Sequence, residues 1–391
     1  MAHVLIVHRY FWPSNLSTYA EMLRDIAETH LAAGDRVSIC TAWADDAERA
    51  AREAWARDAG VDLHHMALVP DRGRHPLGRL GAMARFSAFA LRTAMKLGPE
   101  AITVTSYPIL TPAFPLTLWA RAKGVRQLYH VQDIFVQNLR SSGGWRGRVA
   151  RLLAPVERAI LRGSDAVVTL SGDMKASLGG GARILVRQNY TPNSAALGAA
   201  QGGDPVLVYA GNMGVLQNLP HFLRAAAIAR TQVPFRVLML GGGSMLGRLR
   251  DMVRDEKMEF VDFQGVVPRD EAARIVAGCD IGVVSAKAGL FSYAYPSKVF
   301  TYWASGLPVL VLAEPGGAVA AELAAEGLGR AGDPADPAKL AQTIVAMVED
   351  VQASPPDRAA LAARVDARYG RAAFLDDYRD RIRPAWLGDA A

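Results

Sequence analysis

The chain has 391 residues, of which 51% are apolar and 21% are charged, and its formal net charge is +6. These values predict a folded globular protein of two domains and exclude a disordered chain. No run of eighteen uncharged apolar residues occurs, and the start "MAHVLIVHRYFW" lacks the order of a signal peptide, so we expect a cytoplasmic protein. Two distant cysteines, Cys40 and Cys279, favour buried thiols over a disulfide or a metal site.

The positive charge is concentrated in the first half of the chain. Residues 1–195 contain 24 Lys and Arg against 16 Asp and Glu, whereas the remainder contains 20 against 22. This asymmetry predicts an anionic partner for the N-terminal half, either a membrane surface or a nucleic acid. A solvated basic face that serves only solubility is the alternative.

Short apolar runs alternate with longer helical segments, which predicts parallel sheets flanked by helices. In the first half the predicted strands are 3–7, 37–40, 101–105, 127–131, 166–170 and 184–188. In the second half they are 206–210, 235–240, 258–264, 281–285 and 309–312, followed by helices from Pro337 and from about Arg358. The pattern indicates an α/β fold with two doubly wound, Rossmann-like domains.

A basic segment lies between the second and third of these strands. Residues 72–96, "RGRHPLGRLGAMARFSAFALRTAMK", contain six Lys and Arg and no acid, with apolar residues at mostly helical spacing. Such a helix is typical of a peripheral contact with anionic lipid, and "WRGRVARLLAPVERAILRG" at 145–163 adds a second basic stripe. A core helix with a solvated basic face fits the same spacing.

A polar pair follows the predicted strand at 127–131. His130 and Asp133 in "YHVQDIF" lie where the carboxyl end of a parallel strand meets a ligand. A histidine there is expected to titrate near neutrality, and the pair is the best candidate for acid and base chemistry. A structural hydrogen bond at the end of the strand is the alternative.

The segment "NYTPNSAALGAAQGGDP" at 189–205 is rich in Gly, Ala, Pro and Asn and predicts a linker. We therefore expect an N-terminal domain at 1–198 and a C-terminal domain at 199–365. The closing segment at 366–391 has aromatic and apolar residues at helical spacing, and we expect it to return towards the N-terminal domain.

Two junctions between strand and helix in the second half are rich in glycine. One strand is followed by "GNMG" at 211–214, and another by "GGG" at 241–243. Glycine lets backbone amides approach a ligand, so a nucleotide site is the hypothesis, although steric need alone also explains glycine there. Neither loop matches the dinucleotide-binding or P-loop patterns.

A third junction, "YPSKVFTYWASGLPVL" at 295–310, combines a lysine with a helix start. Pro296 suits the first helical position, Gly306 suits the end of the helix, and a buried strand follows. The free amides and Lys298 predict a phosphate site, and the two glycine loops are expected at the same edge of the sheet.

Six segments, spread over nearly the whole chain, carry a family resemblance: "YFWPSNLSTYAEMLRDIAETHLAAGDRV", "TSYPILTPAFPLTLWARAKGVRQLYHVQDIF", "ERAILRGSDAVVTLSGDM", "YAGNMGVLQNL", "FQGVVPRDEAARIVAGCDIGVV" and "PSKVFTYWASGLPVL". Together they resemble the retaining GT-B glycosyltransferases of family 4. The resemblance is most specific to the bacterial branch of fucosamine and fucose transferases in O-antigen and colanic-acid synthesis.

The resemblance implies two Rossmann-like domains facing across a cleft, with the nucleotide sugar on the C-terminal domain and the acceptor on the N-terminal domain. The catalytic candidates are His130, Asp133 and Lys298; relatives often have Asp at the position of Asp133, whereas the usual histidine of the family would fall nearer Gln132. The implied donor-binding residues are Gly211, Asn212, Gly214, Gly242, Gly243, Val266, Val267, Pro268, Tyr295, Pro296, Ser297, Lys298 and Thr301. On the acceptor side they are Ser14, Asn15 and Ser17, which also suit a helix cap before Tyr19.

The chain departs from the family pattern at three places. Asn212 and Gln217 stand where the wider family has Arg and Lys, which leaves Lys298 to neutralise the leaving group. Tyr293 and Thr301 stand where the family has two glutamates, and Ser14, Asn15 and Ser17 replace its usual glycine turn.

From these observations we predict a hexosyltransferase-type glycosyltransferase with a nucleoside diphosphate sugar donor, of UDP or GDP type. The expected acceptor is a glycan or polyprenyl-linked hydroxyl in cell-envelope or exopolysaccharide synthesis. The expected location is the inner face of the plasma membrane, on an anionic surface. No cofactor, required metal or nucleic-acid partner is expected. The alternatives are a degenerate, non-catalytic nucleotide-sugar or glycan-binding protein and a nucleotide-sugar epimerase of the same fold.

Overall fold

The computed structural model describes residues 1–14, 19–68, 76–106, 112–141, 143–190, 197–198 and 202–388. The chain forms two compact units. The first comprises Met1–Leu170, Met174–Pro192 and Ala372–Ala391, and the second comprises Ser171–Asp173 and Asn193–Arg371.

The first unit contains a parallel sheet of seven strands in the order β3-β2-β1-β4-β5-β6-β7. The strands are β1 His3–Val7, β2 Arg36–Trp43, β3 Asp62–Ala67, β4 Ala101–Thr105, β5 Arg126–Val131, β6 Ala166–Thr169 and β7 Ile184–Val186. Their apolar runs are buried because helices cover parallel sheets on both faces.

The second unit contains a parallel sheet of six strands in the order β10-β9-β8-β11-β12-β13. The strands are β8 Val206–Asn212, β9 Arg236–Gly242, β10 Val261–Gln264, β11 Ile281–Val284, β12 Val309–Leu312 and β13 Gly329–Gly332. Two doubly wound α/β domains are therefore confirmed. The sequence pattern missed β3 and β13, which lie at the edges of their sheets and mix polar residues or glycines with apolar ones.

Helices connect the strands in the manner of repeated βαβ units. They are α1 Ala20–Ala32, α2 Asp46–Ala59, α3 Pro76–Leu97, α4 Ala113–Lys123, α5 Phe135–Ser141, α6 Gly144–Gly163, α7 Gly172–Ser177, α8 Leu219–Arg230, α9 Leu246–Asp255, α10 Arg269–Ala277, α11 Lys298–Ala304, α12 Ala318–Glu326, α13 Pro337–Ala353, α14 Arg358–Tyr369, α15 Arg371–Asp377 and α16 Arg383–Leu387. A π-helical turn, Tyr378–Ile382, joins the last two. Within the described residues, no helix combines the length and the apolarity needed to cross a bilayer.

The C-terminal segment is part of the core of the first unit. Phe374, Tyr378 and Trp386 are at most 2% exposed and pack with apolar residues of β1, α1 and β2. A buried polar network also holds this segment in place. The Arg383 guanidinium donates to the Asp35 carboxylate at 3.0–3.2 Å, and the Tyr378 hydroxyl forms a hydrogen bond with the His30 ring at 2.9 Å.

Helix α3 belongs to the core, although its sequence also suits a membrane surface. Phe86 is 3% exposed, and Ala82, Ala90 and Ala94 on the same side are at most 5% exposed. The large apolar residue at its centre therefore faces protein. Arg72 and Arg74, the first basic residues of the predicted helix, lie outside the described residues.

Candidate functional site

The glycine loops of the second unit meet at the carboxyl ends of β8 and β9. These strands pair to their ends, with Gly211 opposite Gly241, and the Met213 amide then donates to the Gly242 carbonyl at 2.7 Å. Gly241 has φ +121°, and a Cβ there would lie 2.3 Å from the Gly211 carbonyl oxygen. Only glycine allows so close an approach of two backbones, so steric need is one reason for the pattern.

A third segment joins this edge of the sheet. The Gly241 amide donates to the Gly265 carbonyl at 3.2 Å, which places Val266, Val267 and Pro268 beside the β9 loop. Val266 is 82% exposed, and Pro268 precedes α10. The predicted donor-binding residues of these segments are therefore neighbours in the fold.

Lys298 lies at this edge without a carboxylate partner among the described residues. Its Nζ donates to the Tyr209 hydroxyl at 2.9 Å and lies 4.5 Å from the centroid of that ring. The Tyr209 hydroxyl in turn donates to the Asn212 carbonyl at 2.6 Å. A Cβ on Gly211 would lie 2.4 Å from Cε of Lys298, so this glycine leaves room for the lysine.

Burial lowers the pKa of Lys298 to about 8, because removing water disfavours the ammonium form. A half-buried cation without a counter-ion is costly unless an anion completes its surroundings. The site is therefore suited to an anionic group that touches Lys298 and the loop after β8.

The helix beside Lys298 differs from the prediction at its start. Helix α11 begins at Lys298 with Ser297 as its N-cap, two positions after the start expected at Pro296. It has only seven residues, so its dipole contributes less to anion binding than a long helix would. The lysine side chain, rather than the end of the helix, dominates the positive charge here.

The remaining predicted donor residues have mixed surroundings. Asn212, Ser297 and Thr301 are exposed, and Pro296 is partly buried. The Gly214 amide donates to the Gln217 side chain at 3.0 Å.

Tyr295, another predicted donor residue, makes its contacts with protein. It is buried, it stacks on Phe300, and its hydroxyl lies 3.4 Å from the Glu322 carboxylate. Gly242 and Gly243 lie in the β9 loop, where a Cβ on Gly243 would be 2.6 Å from the Met213 carbonyl.

A polar cluster occupies the carboxyl edge of the first sheet. His130 is 1% exposed, and its Nδ1 lies 2.6 Å from the Tyr19 hydroxyl. Burial, with a smaller effect from nearby His8, lowers the pKa of His130 to about 3. The expectation that His130 titrates near neutrality is therefore wrong: the ring is neutral at pH 7, because water is excluded from it.

Asp133 differs from His130 both in its exposure and in the direction in which its pKa is shifted. Part of the residue is exposed, yet the protein around its carboxyl excludes enough water to raise the pKa of Asp133 to about 6. Its amide and that of Gln132 donate to the Ser106 hydroxyl at 3.3 Å and 3.1 Å, which fixes the backbone where β5 ends. Asp133 is thus the better proton acceptor of the pair near neutral pH.

The predicted acceptor loop is only partly described. Ser14 is 7% exposed and its amide donates to the Phe11 carbonyl at 3.0 Å, whereas Asn15 and Ser17 lie outside the described residues. Arg52, which is fully buried, donates to the carbonyls of Phe11 and Trp12 at 2.7 Å and 2.8 Å. It anchors the start of the loop.

Sequence reasoning missed Tyr209, Tyr19 and Arg52. Tyr209 and Tyr19 touch predicted site residues, but each makes its contact across 89 or more positions of the chain. The sequence signal that could have indicated Tyr209 is an aromatic residue with a hydroxyl group just before the glycine loop.

Among the described residues, no group of three or more His, Cys, Asp or Glu could hold a metal ion. Metal independence of the reaction stays a prediction.

Both halves of the chain match known domain families. Residues 17–186 match the model "Glycosyl transferase 4-like domain", and residues 204–350 match "Glycosyl transferases group 1". A curated relative, the probable glycosyltransferase WbjE of Pseudomonas aeruginosa, is 23% identical over 296 residues, which cover 70% of this chain and 73% of the relative.

Solved structures with similar folds cover almost the whole chain. Sucrose-phosphate synthase of Thermosynechococcus elongatus has a TM-score of 0.71 at 15% identity, covering 98% of each chain. Anabaena HepE in complex with UDP-glucose has a TM-score of 0.63 at 16% identity, covering 98% of this chain and 99% of that one. The likeness extends over both α/β units.

Proposed function

Because this chain is a glycosyltransferase with the GT-B fold, we propose that it moves a sugar, with retention, from a nucleoside diphosphate sugar to an acceptor hydroxyl. The observation that carries the donor class is the half-buried ammonium of Lys298, which lies beside the glycine loop and has no carboxylate partner within the part of the chain that the structure describes. A diphosphate supplies the missing counter-charge. The complexes of HepE with UDP and with UDP-glucose support the same class.

Lys298 stabilises the diphosphate most strongly when the bond between the sugar and the diphosphate breaks. Negative charge then grows on the diphosphate, so the ammonium stabilises the transition state more than the ground state. The Tyr209 hydroxyl accepts a hydrogen bond from the ammonium at 2.9 Å and so holds it beside the loop after β8. In a front-face displacement the acceptor hydroxyl attacks the sugar from the face on which the diphosphate leaves.

The first unit binds the hydroxyl substrate in this proposal. Asp133 is mostly a carboxylate at pH 7 and accepts a hydrogen bond or proton from a sugar hydroxyl, while neutral His130 orients it. Nε2 of His130 is buried and has no hydrogen-bond partner among the described residues, which suits a substrate contact.

We also propose that the chain belongs to the branch of fucosamine and fucose transferases. Its acceptor in this proposal is a cell-envelope or exopolysaccharide hydroxyl carried on a polyprenyl lipid. WbjE, a probable glycosyltransferase, is compatible with this reading. A lipid-linked acceptor requires the protein at a membrane surface. The direct test is release of nucleoside diphosphate from a panel of UDP and GDP sugars, with and without lipid-linked acceptor. If no donor is turned over and no nucleoside diphosphate binds, the proposal fails.

Lys298→Ala should weaken nucleoside diphosphate binding by about 2 kcal/mol, which is roughly thirtyfold, because a charge-assisted contact is lost. The variant should keep or raise the melting temperature, since an unpaired half-buried charge is removed. Calorimetric titration with UDP and GDP measures the loss. Lys287→Ala, at an exposed lysine between β11 and α11, is the matched control. Equal affinity in both variants and the unmodified protein would remove Lys298 from the site.

Donor affinity should also fall as pH rises above about 8. The pKa of Lys298 in the free protein is about 8, and a bound anion raises it, so binding favours the protonated lysine. The dissociation constant should then rise up to tenfold per pH unit above that value. Phosphate itself is fully ionised there, because its second pKa is about 6. Titrations between pH 7 and 10 should show this slope, and Lys298→Ala should not; a slope shared by both proteins contradicts the assignment.

A further inference from the structure

Helix α6, Gly144–Gly163, exposes a stripe of apolar and basic side chains on one side. Trp145 is 69% exposed and Leu152 is 76% exposed, so both present a large apolar side chain to solvent. With 3.6 residues per turn, they share an arc of about 140° with four arginines. The stripe consists of the exposed residues Trp145, Arg148, Arg151, Leu152, Arg158 and Arg162.

The stripe carries positive charge without compensating acid. The acidic residue of α6, Glu157, lies outside the arc, is partly buried and accepts a hydrogen bond from the Val136 amide at 3.4 Å. None of the four arginines has a carboxylate partner among the described residues. Four cationic heads and two large apolar groups on one helical face are complementary to an anionic, amphipathic surface.

A cavity of about 380 Å³ lies at the C-terminal end of the stripe. Arg158 and Arg162 of α6 and Arg183 before β7 line it, together with apolar side chains. The apolar residues of the lining are Leu161, Val167, Leu178, Ala182 and Ile184. An apolar hollow with three arginines suits a phosphate that carries an apolar chain.

We propose that the α6 stripe docks this chain on an anionic lipid bilayer, with a lipid phosphate at the arginines of the cavity. Trp145 and Leu152 enter the headgroup layer, where an indole is well accommodated, and the arginines lie near the lipid phosphates. The inference rests on the membrane location proposed above and names the surface responsible for it.

The structure favours α6 over α3 for this role. The large apolar residue at the centre of α3, Phe86, is buried in the core, whereas Trp145 and Leu152 of α6 are exposed. Both helices carry exposed basic residues, so charge alone does not distinguish them. Helix α3 also exposes Leu80 at 53% and Met95 at 57%, so the apolar groups of the two helices differ in degree, and α6 has in addition the arginine-lined cavity at the end of its stripe.

The test is co-sedimentation of the whole chain with phosphatidylcholine vesicles, with and without phosphatidylglycerol, at low and high salt. The unmodified protein should bind the anionic vesicles preferentially and lose binding at high salt. Each basic residue near such a surface is worth about 1 kcal/mol, so the triple variant Arg151→Gln, Arg158→Gln, Arg162→Gln should bind on the order of a hundredfold more weakly. Trp145→Ala with Leu152→Ala should reduce binding to the anionic vesicles at low salt, although it removes no charge.

The matched control removes three exposed charges from α3 instead, as Arg85→Gln, Arg92→Gln and Lys96→Gln. It should bind anionic vesicles within about threefold of the unmodified protein, because long-range attraction is screened beyond the Debye length. An equal loss in the α3 variant, equal binding to neutral vesicles, or binding of duplex DNA without vesicle binding would overturn the proposal.

UDP and GDP binding is measured on the same variants, because it should not change in any of them. Normal vesicle binding without donor binding or turnover means that the proposed transferase chemistry fails alone. Normal donor binding with vesicle binding that ignores the α6 substitutions means that the docking surface fails alone.

Discussion

Asp133→Asn should slow sugar transfer at least about a hundredfold while leaving the fold and nucleoside diphosphate binding unchanged. This is the usual scale for the loss of an acid–base or positioning group. The substitution keeps the size of the side chain and removes its ability to take a proton. The carboxyl lies at the end of β5, and its raised pKa of about 6 makes it a stronger proton acceptor than an ordinary aspartate.

The pH profile distinguishes this role from a structural one. Asp133 is deprotonated above about pH 6, so the rate should rise with pH through that value, and Asp133→Asn should lose this limb. His130→Ala should also be about a hundredfold slower, yet keep the limb, because the pKa of His130 is about 3. Asp58→Asn, at an exposed site on α2, is the control. If circular dichroism shows loss of folding, or the limb disappears with His130 instead, the assignment is wrong.

Asp35→Ala should lower the free energy of unfolding of the first unit by about 3–5 kcal/mol, the usual cost of removing one partner of a buried ion pair. The Asp35 carboxylate accepts hydrogen bonds from the Ala2 amide at 3.0 Å, from His30 at 2.8 Å and from Arg383 at 3.0 Å. Its loss removes the carboxylate to which the Arg383 guanidinium, on the C-terminal segment, donates its hydrogen bonds. Urea unfolding of the whole chain measures the change.

The acid dependence of stability checks the same network. These contacts lower the pKa of Asp35 to about 2, although burial itself opposes the shift. The stabilisation is therefore present above the unfolded pKa of about 4 and is lost as pH falls through about 2. Asp62→Ala, which removes the exposed ion pair with Arg36, should cost less than about 1 kcal/mol. A similar small cost for Asp35→Ala would show that the network is not stabilising.

The sequence determines much of the fold because the strand signal is local. Apolar runs such as those of β1, β4 and β12 predict buried strands without knowledge of their partners, since both faces of a parallel sheet are covered. The edge strands β3 and β13 are not predicted by this reasoning. Their mixed residues become strands only because Arg36–Trp43 and Val309–Leu312 offer a paired neighbour.

The candidate site, like the fold, was predicted only in part from the sequence. Lys298 and the glycine loops could be found from motifs, because a cation next to amide-rich turns has a recognisable spacing. Tyr209 could not, since its hydroxyl meets Lys298 only when β8 and α11 come together across 89 positions of the chain. The pKa values of His130 and Asp133 also depend on how much water the folded protein leaves around each group.

The two basic helices give the clearest case. By itself the sequence determined that α3 and α6 are helical, amphipathic and basic, since periodicity and charge are properties of neighbouring residues. Only the tertiary structure decided that Phe86 packs into the core while Trp145 and Leu152 stay exposed. The reason is physical: apolar spacing favours burial against any apolar partner, and the packing of the rest of the chain decides whether that partner is the protein's own core.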